Sequence, residues 1–511
     1  MGRRTNEQIL LDLIPVGGSI GNLSLRRTLE QRGWDEAKFW RVRQLLLDQG
    51  LIATGRGKGG SVHRVVATER AQSDEASTTG AAPTEPVESD ALPNPQLRSV
   101  RYVHWKSFED ATLYVDPLTV MIGANASGKS NALDGLQFLN RIASGKEIAA
   151  ALGGDPTALP LRGGIEWATL DGSSRFTLEV TISSTEPRTE YVYAISVETS
   201  PRVQIAAETL KRIRYRMHTK ESPYEVSLVA TDETVPENPS LTVRTYNGKG
   251  GTKRDAHRGI SLLTQLVGPT LPYEVTVGLD EVSSVLKNIF ILDPIPSSMR
   301  GYSPFSETLR GDAANVAGVL AALPRDRGRV VEQQLTEYIR EVPERDVRHV
   351  WAEPVGRFKT DAMLYCQEAF KPKSPPTTID ARGMSDGTLR MLAIVAALLT
   401  RPEGSVLVVE EVDNGLHPSR SDVLLRVLRE LGEQRRIDIV VTTHNPALLD
   451  RLGPDMVPFV IVAHRDPTTG YSLLSLLETI EQLPKLMAGG TLGSLSARGQ
   501  IERALEERGR A

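Results

Sequence analysis

Gly123-Ala124-Asn125-Ala126-Ser127-Gly128-Lys129-Ser130 has the residue types and the G-x-x-x-x-G-K-S spacing of a loop that wraps phosphate groups. Two glycines let the backbone curl so that successive N–H groups converge on the phosphates of a nucleotide. Lys129 adds a point charge, and the Ser130 hydroxyl can ligate Mg²⁺. The binding segment on this reading is Gly123, Asn125, Ser127, Gly128, Lys129, Ser130 and Asn131. The rival is a glycine-rich turn without a ligand, and the flanks argue against it. Leu118 to Ile122 is an apolar run suited to a buried strand. Asn131 to Leu139 has helical spacing, so a helix N-terminus points at the phosphates.

Three later segments carry more chemistry. Gly383-Met384-Ser385-Asp386-Gly387-Thr388 precedes an apolar helix, Leu389 to Thr400. Ser405 to Val409 is an apolar strand ending in Glu410 and Glu411, with Asp413-Asn414-Gly415-Leu416-His417-Pro418 close behind. Ile437 to Thr443 is another apolar strand, ending in His444-Asn445-Pro446. Each has an ordinary reading alone, as a helix cap, a solvated strand end or a structural histidine. In this order, after a phosphate loop, they have one economical explanation.

The set resembles the ABC-type ATPases of the RecF, SMC and OLD group, and in particular their bacterial AAA-family members, over about residues 97 to 500. The resemblance implies an α/β P-loop head with a β-rich subdomain and a helical insert at about 166–370. It implies ATP and Mg²⁺ as cofactors and a homodimer that sandwiches ATP between two heads. The loop of one subunit would hold the phosphates, and Ser385, Asp386 and Gly387 of the other would approach them. Glu410, standing where aspartate is usual, would meet Mg²⁺ with Ser130. Glu411 would polarise the attacking water, and His444 would sense the γ-phosphate. Phosphoryl transfer needs charge neutralisation and one positioned water, which a carboxylate at a strand end can supply. No Q-loop glutamine can be placed; Leu161-Arg162-Gly163-Gly164 occupies that region. No long heptad stretch exists, so a rod-forming protein is not expected. The chain after His444 is too short for a Toprim nuclease domain, so any nuclease or other effector would be a separate chain. The resemblance suggests a bacterial antiphage defence role. An ATP-tuned transcription regulator and a DNA repair or clamp ATPase stay open.

The elements that must position these residues fit a chain of 511 residues, long enough for several domains. Its 60 basic and 64 acidic residues leave a net charge of −4. Residues 1–70 are different, with twelve Lys/Arg against seven acids, a net +5. Helical spacing at Thr5 to Ile14, Leu23 to Gln31 and from Asp35, then two short apolar runs around a Gly/Arg/Lys turn, is the order of a winged helix-turn-helix. Double-stranded DNA is the expected partner, through Lys38, Arg41 and Arg43 on the third helix and Arg56 and Lys58 at the hairpin tip. A small protein-interaction module is the alternative. Residues 71–96 hold five acids, no base and four prolines, the composition of a disordered acidic linker. After the loop helix the pattern is β-rich to Tyr246, and residues 305–340 return to helical spacing. The single cysteine, Cys366, excludes an internal disulfide and suits a reducing compartment. No apolar run is long enough for a membrane span, so a cytoplasmic location is expected.

Overall fold

The computed structural model describes residues 94–215, 223–266, 268, 270–341, 347–369, 375–480 and 483–509. In the N-terminal part it describes residues 10–11, 13–14, 19–21, 25, 29, 34, 39, 42–43, 46, 51–54 and 61–64.

The run Leu118–Ile122 forms strand β1 with every residue buried, as a strand covered on both faces requires. It belongs to a six-stranded sheet with Ile289–Leu292 (β2), Val406–Val409 (β3), Asp438–Thr442 (β4), Val460–Arg465 (β5) and Ser472–Leu476 (β6). The spatial order is β2-β3-β4-β1-β5-β6. The first five run parallel, and β6 closes the edge antiparallel to β5. Successive residues feed opposite cores. Val120, Ile122, Leu407, Val409, Ile439 and Val441 enter one apolar cluster; Met121, Val406, Val408, Val440 and Ile461 enter the other. Parallel strands also bring their C-terminal ends to one edge, where ligands of open α/β sheets bind. The phosphate loop, the Glu410–Glu411 pair and Thr443–His444 all leave the sheet there.

Helix Lys129–Ala143 (α1) packs on one face, against an eight-stranded antiparallel sheet. Its strands, in spatial order, are Thr252–His257, Ser240–Thr245, Tyr224–Thr231, Gln204–Arg214, Thr189–Glu198, Arg175–Ser183, Gln96–Trp105 and Phe108–Tyr114. Trp105 and Phe138 each meet Phe176 edge-on, with ring centroids 4.8 and 5.6 Å apart, a favoured aromatic geometry. Helix Asp386–Thr400 (α2) covers the opposite face and is buried almost all round, as its apolar run Met391 to Leu399 requires. The expected α/β class and β-rich subdomain are present.

The insert contains helices Val316–Ala322 and Arg325–Arg340 within the segment of expected helical spacing. It also holds a small antiparallel sheet of Ser303–Pro304, Val347–Val355, Asp361–Glu368 and Thr377–Asp380, which the sequence did not announce. A register shift between Val347 and His349 breaks the two-residue alternation that marks a strand. In the N-terminal part, Ser19–Gly21, Ile52–Thr54 and Ser61–Arg64 form an antiparallel sheet with the third strand central. Leu10, Leu25, Leu29, Phe39, Val42 and Leu46 are helical and share one core with Ile14, Trp34 and Ile52. Ser19–Gly21 was not expected as a strand; three residues are too few to show periodicity. No described helix is long and apolar enough to cross a membrane.

Candidate functional site

Both loop glycines are required by geometry. Gly123 and Gly128 have φ of +140° and +111°. A Cβ on Gly123 would lie 2.1 Å from the Ala463 carbonyl oxygen of β5, and one on Gly128 would lie 2.7 Å from Ser472 Oγ of β6. The loop therefore nests against the sheet edge, and Arg465 Nε holds it from β5 by donating to Ala126 O at 3.0 Å. Gly128 caps α1, so the unpaired N–H groups of the first turn face the loop. Lys129 Nζ donates to Gly123 O at 2.7 Å and to Ala124 O at 2.9 Å. Burial pulls its pKa below the ordinary lysine value, and the charges of Glu411 and Glu410 oppose that shift. Asn125 is exposed, whereas Ser127 is buried and its hydroxyl has no hydrogen-bond partner among the described residues. Asn131 ties α1 to the turn before it: Nδ2 donates to Ser107 Oγ at 2.7 Å, and its carbonyl accepts from Trp105 Nε1 at 2.7 Å. Asn131 also lines a cavity of about 680 Å³ beside the loop, with Lys106, Arg162, Trp167, Arg465 and Tyr471.

The carboxylates stand opposite the loop. Ser130 Oγ donates to Glu410 Oε1 at 2.5 Å, joining residues 280 apart in the chain. Two hard oxygen groups meeting in this way fit Mg²⁺, which takes one or two protein oxygens and completes its shell with phosphates and water. No larger cluster of metal-ligating side chains occurs among the described residues. Arg162 donates to Glu410 from Nη1 and Nη2; residue types alone gave no sign that it reaches this carboxylate. Glu411 has φ of +47°, a left-handed conformation costly for a side-chain-bearing residue. It is held by its own N–H, which donates to Thr442 Oγ1 of β4 at 2.8 Å. Asn414 Nδ2 donates to Glu411 Oε2 at 3.3 Å, and His444 Nδ1 lies 3.8 Å from Oε1. Buried Asp413 accepts from Thr443 Oγ1 at 2.7 Å, so the end of β4 fixes the turn that follows β3.

Ser385 caps α2, its hydroxyl accepting from Thr388 N at 3.1 Å. Asp386 is exposed and pairs with Arg300 at 2.5 Å. Arg300 Nη1 also caps the carbonyls of Ala381, Arg382 and Met384 at 2.8 to 2.9 Å. Gly387 permits close packing, since a Cβ there would lie 2.7 Å from Arg420 Nη1 and 3.0 Å from Gly415 O. Among the described residues, no hydrogen bond or ion pair joins Ser385, Asp386 or Gly387 to the phosphate loop of the same chain.

Of the residues assigned to DNA, Lys38, Arg41, Arg56 and Lys58 lie outside the described residues. Arg43 is a correction. It is only 8 % exposed, and burial lowers its pKa, so it does not lie on an open face that reads bases. Helical spacing could not separate it from its neighbours on the expected third helix.

Residues 118–238 and 377–450 match the family model described as "AAA domain, putative AbiEii toxin, Type IV TA system". These segments hold the phosphate loop, the Ser385–Gly387 turn, both carboxylates and His444, and the match supports an ABC-type AAA ATPase domain. The unmatched stretch between them contains most of the insert. No curated protein matches the sequence. Among solved structures, an SMC head bound to the C-winged helix domain of ScpA is 13% identical, with a TM-score of 0.43, covering 74% of this chain and 97% of that one. The SMC head domain from Thermotoga maritima is 12% identical, with a TM-score of 0.36 and coverage of 75% and 98%. A Smc head with an extended coiled coil, bound to the C-terminal domain of ScpA derived from Pyrococcus furiosus, is 11% identical. Its TM-score is 0.43, and coverage is 77% and 100%.

Proposed function

We propose that the protein is an ATP-hydrolysing molecular switch whose heads dimerise on ATP. The observation that carries this is the meeting of Ser130 Oγ and Glu410 at 2.5 Å, beside Glu411 and at the start of a helix whose N-terminus faces the glycine loop. Loop N–H groups and Lys129 bind the phosphates. Ser130 and Glu410 hold Mg²⁺, which on binding neutralises phosphate charge. Glu411 orients a water and accepts its proton, with Asn414 holding the carboxylate, and His444, 3.8 Å from it, senses the γ-phosphate. Ser385 and Asp386, exposed and unconnected to their own loop, are available to a second head. Phosphate release by the wild type and Lys129→Ala, with light scattering of Glu411→Gln in ATP and Mg²⁺, tests both halves. Absence of hydrolysis in the wild type sinks the enzyme reading; a mass independent of ATP sinks the switch.

Association with duplex DNA is the second half of the proposal. It is supported by the small three-stranded antiparallel sheet and the helical residues that share one core in the N-terminal part, together with the net positive charge of residues 1–70. With Arg43 inside, Lys38 and Arg41 are left to read base edges, and Arg56 and Lys58 to contact phosphates. By the resemblance, the switch would act with a separate nuclease or other effector. Mobility shifts of full-length protein on random duplex at two salt concentrations test the DNA half. A shift weakened by salt, and weakened further by Arg56→Ala with Lys58→Ala, is expected; no shift at low salt points instead to a protein partner.

A further inference from the structure

The turn Leu161-Arg162-Gly163-Gly164 reaches the centre of the site from outside the four motifs. Leu161 is buried as its anchor. Gly163 and Gly164 have φ of +77° and +57°, and the Gly164 N–H closes the turn onto Leu161 O at 2.8 Å. The Arg162 carbonyl accepts from Lys106 Nζ at 2.7 Å, and Lys106 is paired at 2.5 Å with buried Asp134 of α1. The backbone of the turn is thus fastened to the helix that carries the phosphate loop. The side chain is free of that constraint, being 54% exposed.

Its guanidinium donates from Nη1 to Glu410 Oε1 at 3.1 Å and from Nη2 to Glu410 Oε2. Oε1 also accepts from Ser130 Oγ. Both oxygens of Glu410 are therefore engaged, one of them by the very hydroxyl with which it would share a metal. Lys129 makes its hydrogen bonds elsewhere, its ammonium bridging the carbonyls of Gly123 and Ala124. Among the described residues Arg162 is the one cation paired with Glu410. With its arginine 54% exposed, against 19% for Glu410, the pair adds little to fold stability, which leaves its position to be explained.

We infer that Arg162 is a built-in substitute for Mg²⁺ that holds Glu410 until metal and nucleotide arrive together. This rests on the nucleotide-site proposal and adds the regulation of that site. A divalent cation reaching Glu410 must first break a forked, charge-assisted pair, so the protein's demand for Mg²⁺ is set partly by Arg162. Phosphate oxygens lower that barrier by giving the released guanidinium a new acceptor. Arg162 lines the cavity beside the loop, so its side chain has space to make the exchange.

The test uses full-length protein and a fluorescent ATP analogue, titrated with MgCl₂ after EDTA treatment. The reading is the Mg²⁺ concentration that gives half of the metal-dependent gain in nucleotide affinity. Arg162→Ala is expected to lower that midpoint on the order of tenfold, the scale of one charged hydrogen-bonded pair. Arg162→Gln, which removes the charge and shortens the side chain while keeping a polar amide, is expected to shift it in the same direction and serves if the alanine variant fails to fold. A midpoint equal to or above that of the wild type in either folded variant overturns the inference while leaving the nucleotide site intact. A wild type that binds the analogue at no Mg²⁺ concentration overturns both.

Discussion

Glu411→Gln separates catalysis from binding at a single side chain. The substitution removes a charge and keeps the shape. The Gln carbonyl can still accept from Asn414 Nδ2, which now lies 3.3 Å from Oε2, and the backbone stays on Thr442 Oγ1. Glu411 touches neither Ser130 nor the loop, so nucleotide affinity should change by no more than about twofold, within the spread of substitutions that remove no contact. What is lost is the basic oxygen facing His444 Nδ1 at 3.8 Å. A positioned base contributes about 10²–10⁴-fold. At 1.36 kcal/mol per decade that raises the barrier by about 3–5 kcal/mol. Phosphate release at saturating ATP and Mg²⁺, beside the affinity of a fluorescent nucleotide, reads both quantities. Turnover within a few-fold of wild type would remove Glu411 from the mechanism. Loss of affinity in step with turnover would make it a ligand instead.

Gly128→Ala places a Cβ 2.7 Å from Ser472 Oγ at φ +111°; strain of about 1–3 kcal/mol should lower both the melting temperature and nucleotide affinity, and an unchanged affinity would refute the tight nesting of the loop. Arg300→Ala frees three carbonyls and Asp386. It should impair ATP-driven dimerisation while nucleotide binding by the single head persists, and equal loss of both would refute a role confined to the Ser385 turn. Burial raises the Asp438 carboxyl to about 7, with Arg98 opposing and Asp116 adding. The folded state therefore holds this proton more tightly: the associated stability is full below the unfolded value of about 4 and lost as pH rises through about 7. Asp438→Asn should flatten the melting-temperature profile across that window, and a profile parallel to wild type would refute the assignment.

Much of the site was legible because its residues stand at the ends of apolar strands. Leu118–Ile122, Val406–Val409 and Asp438–Thr442 are continuous buried runs, and each stops where the chemistry starts. Their types also suggest the chemistry proposed above, since Gly, Lys and Ser at that spacing suit a phosphate-binding loop. Arg162 was not legible. Its partner lies 248 residues away, and an arginine between a leucine and two glycines reads as an ordinary turn. Arg43 failed for the opposite reason: a basic residue on a helix is usually outside, and its burial comes from tertiary packing that helical spacing does not show. In the small sheet of the insert, a register shift at the start of Val347–Val355 interrupts the alternation by which that strand would be recognised, and Ser303–Pro304 and Thr377–Asp380 are too short to show one.

Strand β1 lies between β4 and β5, although it precedes both by more than half the chain. During synthesis its two sides stay unpaired until the later strands leave the ribosome, roughly 300 residues on. At ~5–20 residues per second that is an interval of roughly 15 to 60 s. For that time an apolar five-residue edge and the phosphate loop beside it have no sheet to join. In that interval α1 and the antiparallel sheet, both complete much earlier in the chain, are the elements available to shelter β1.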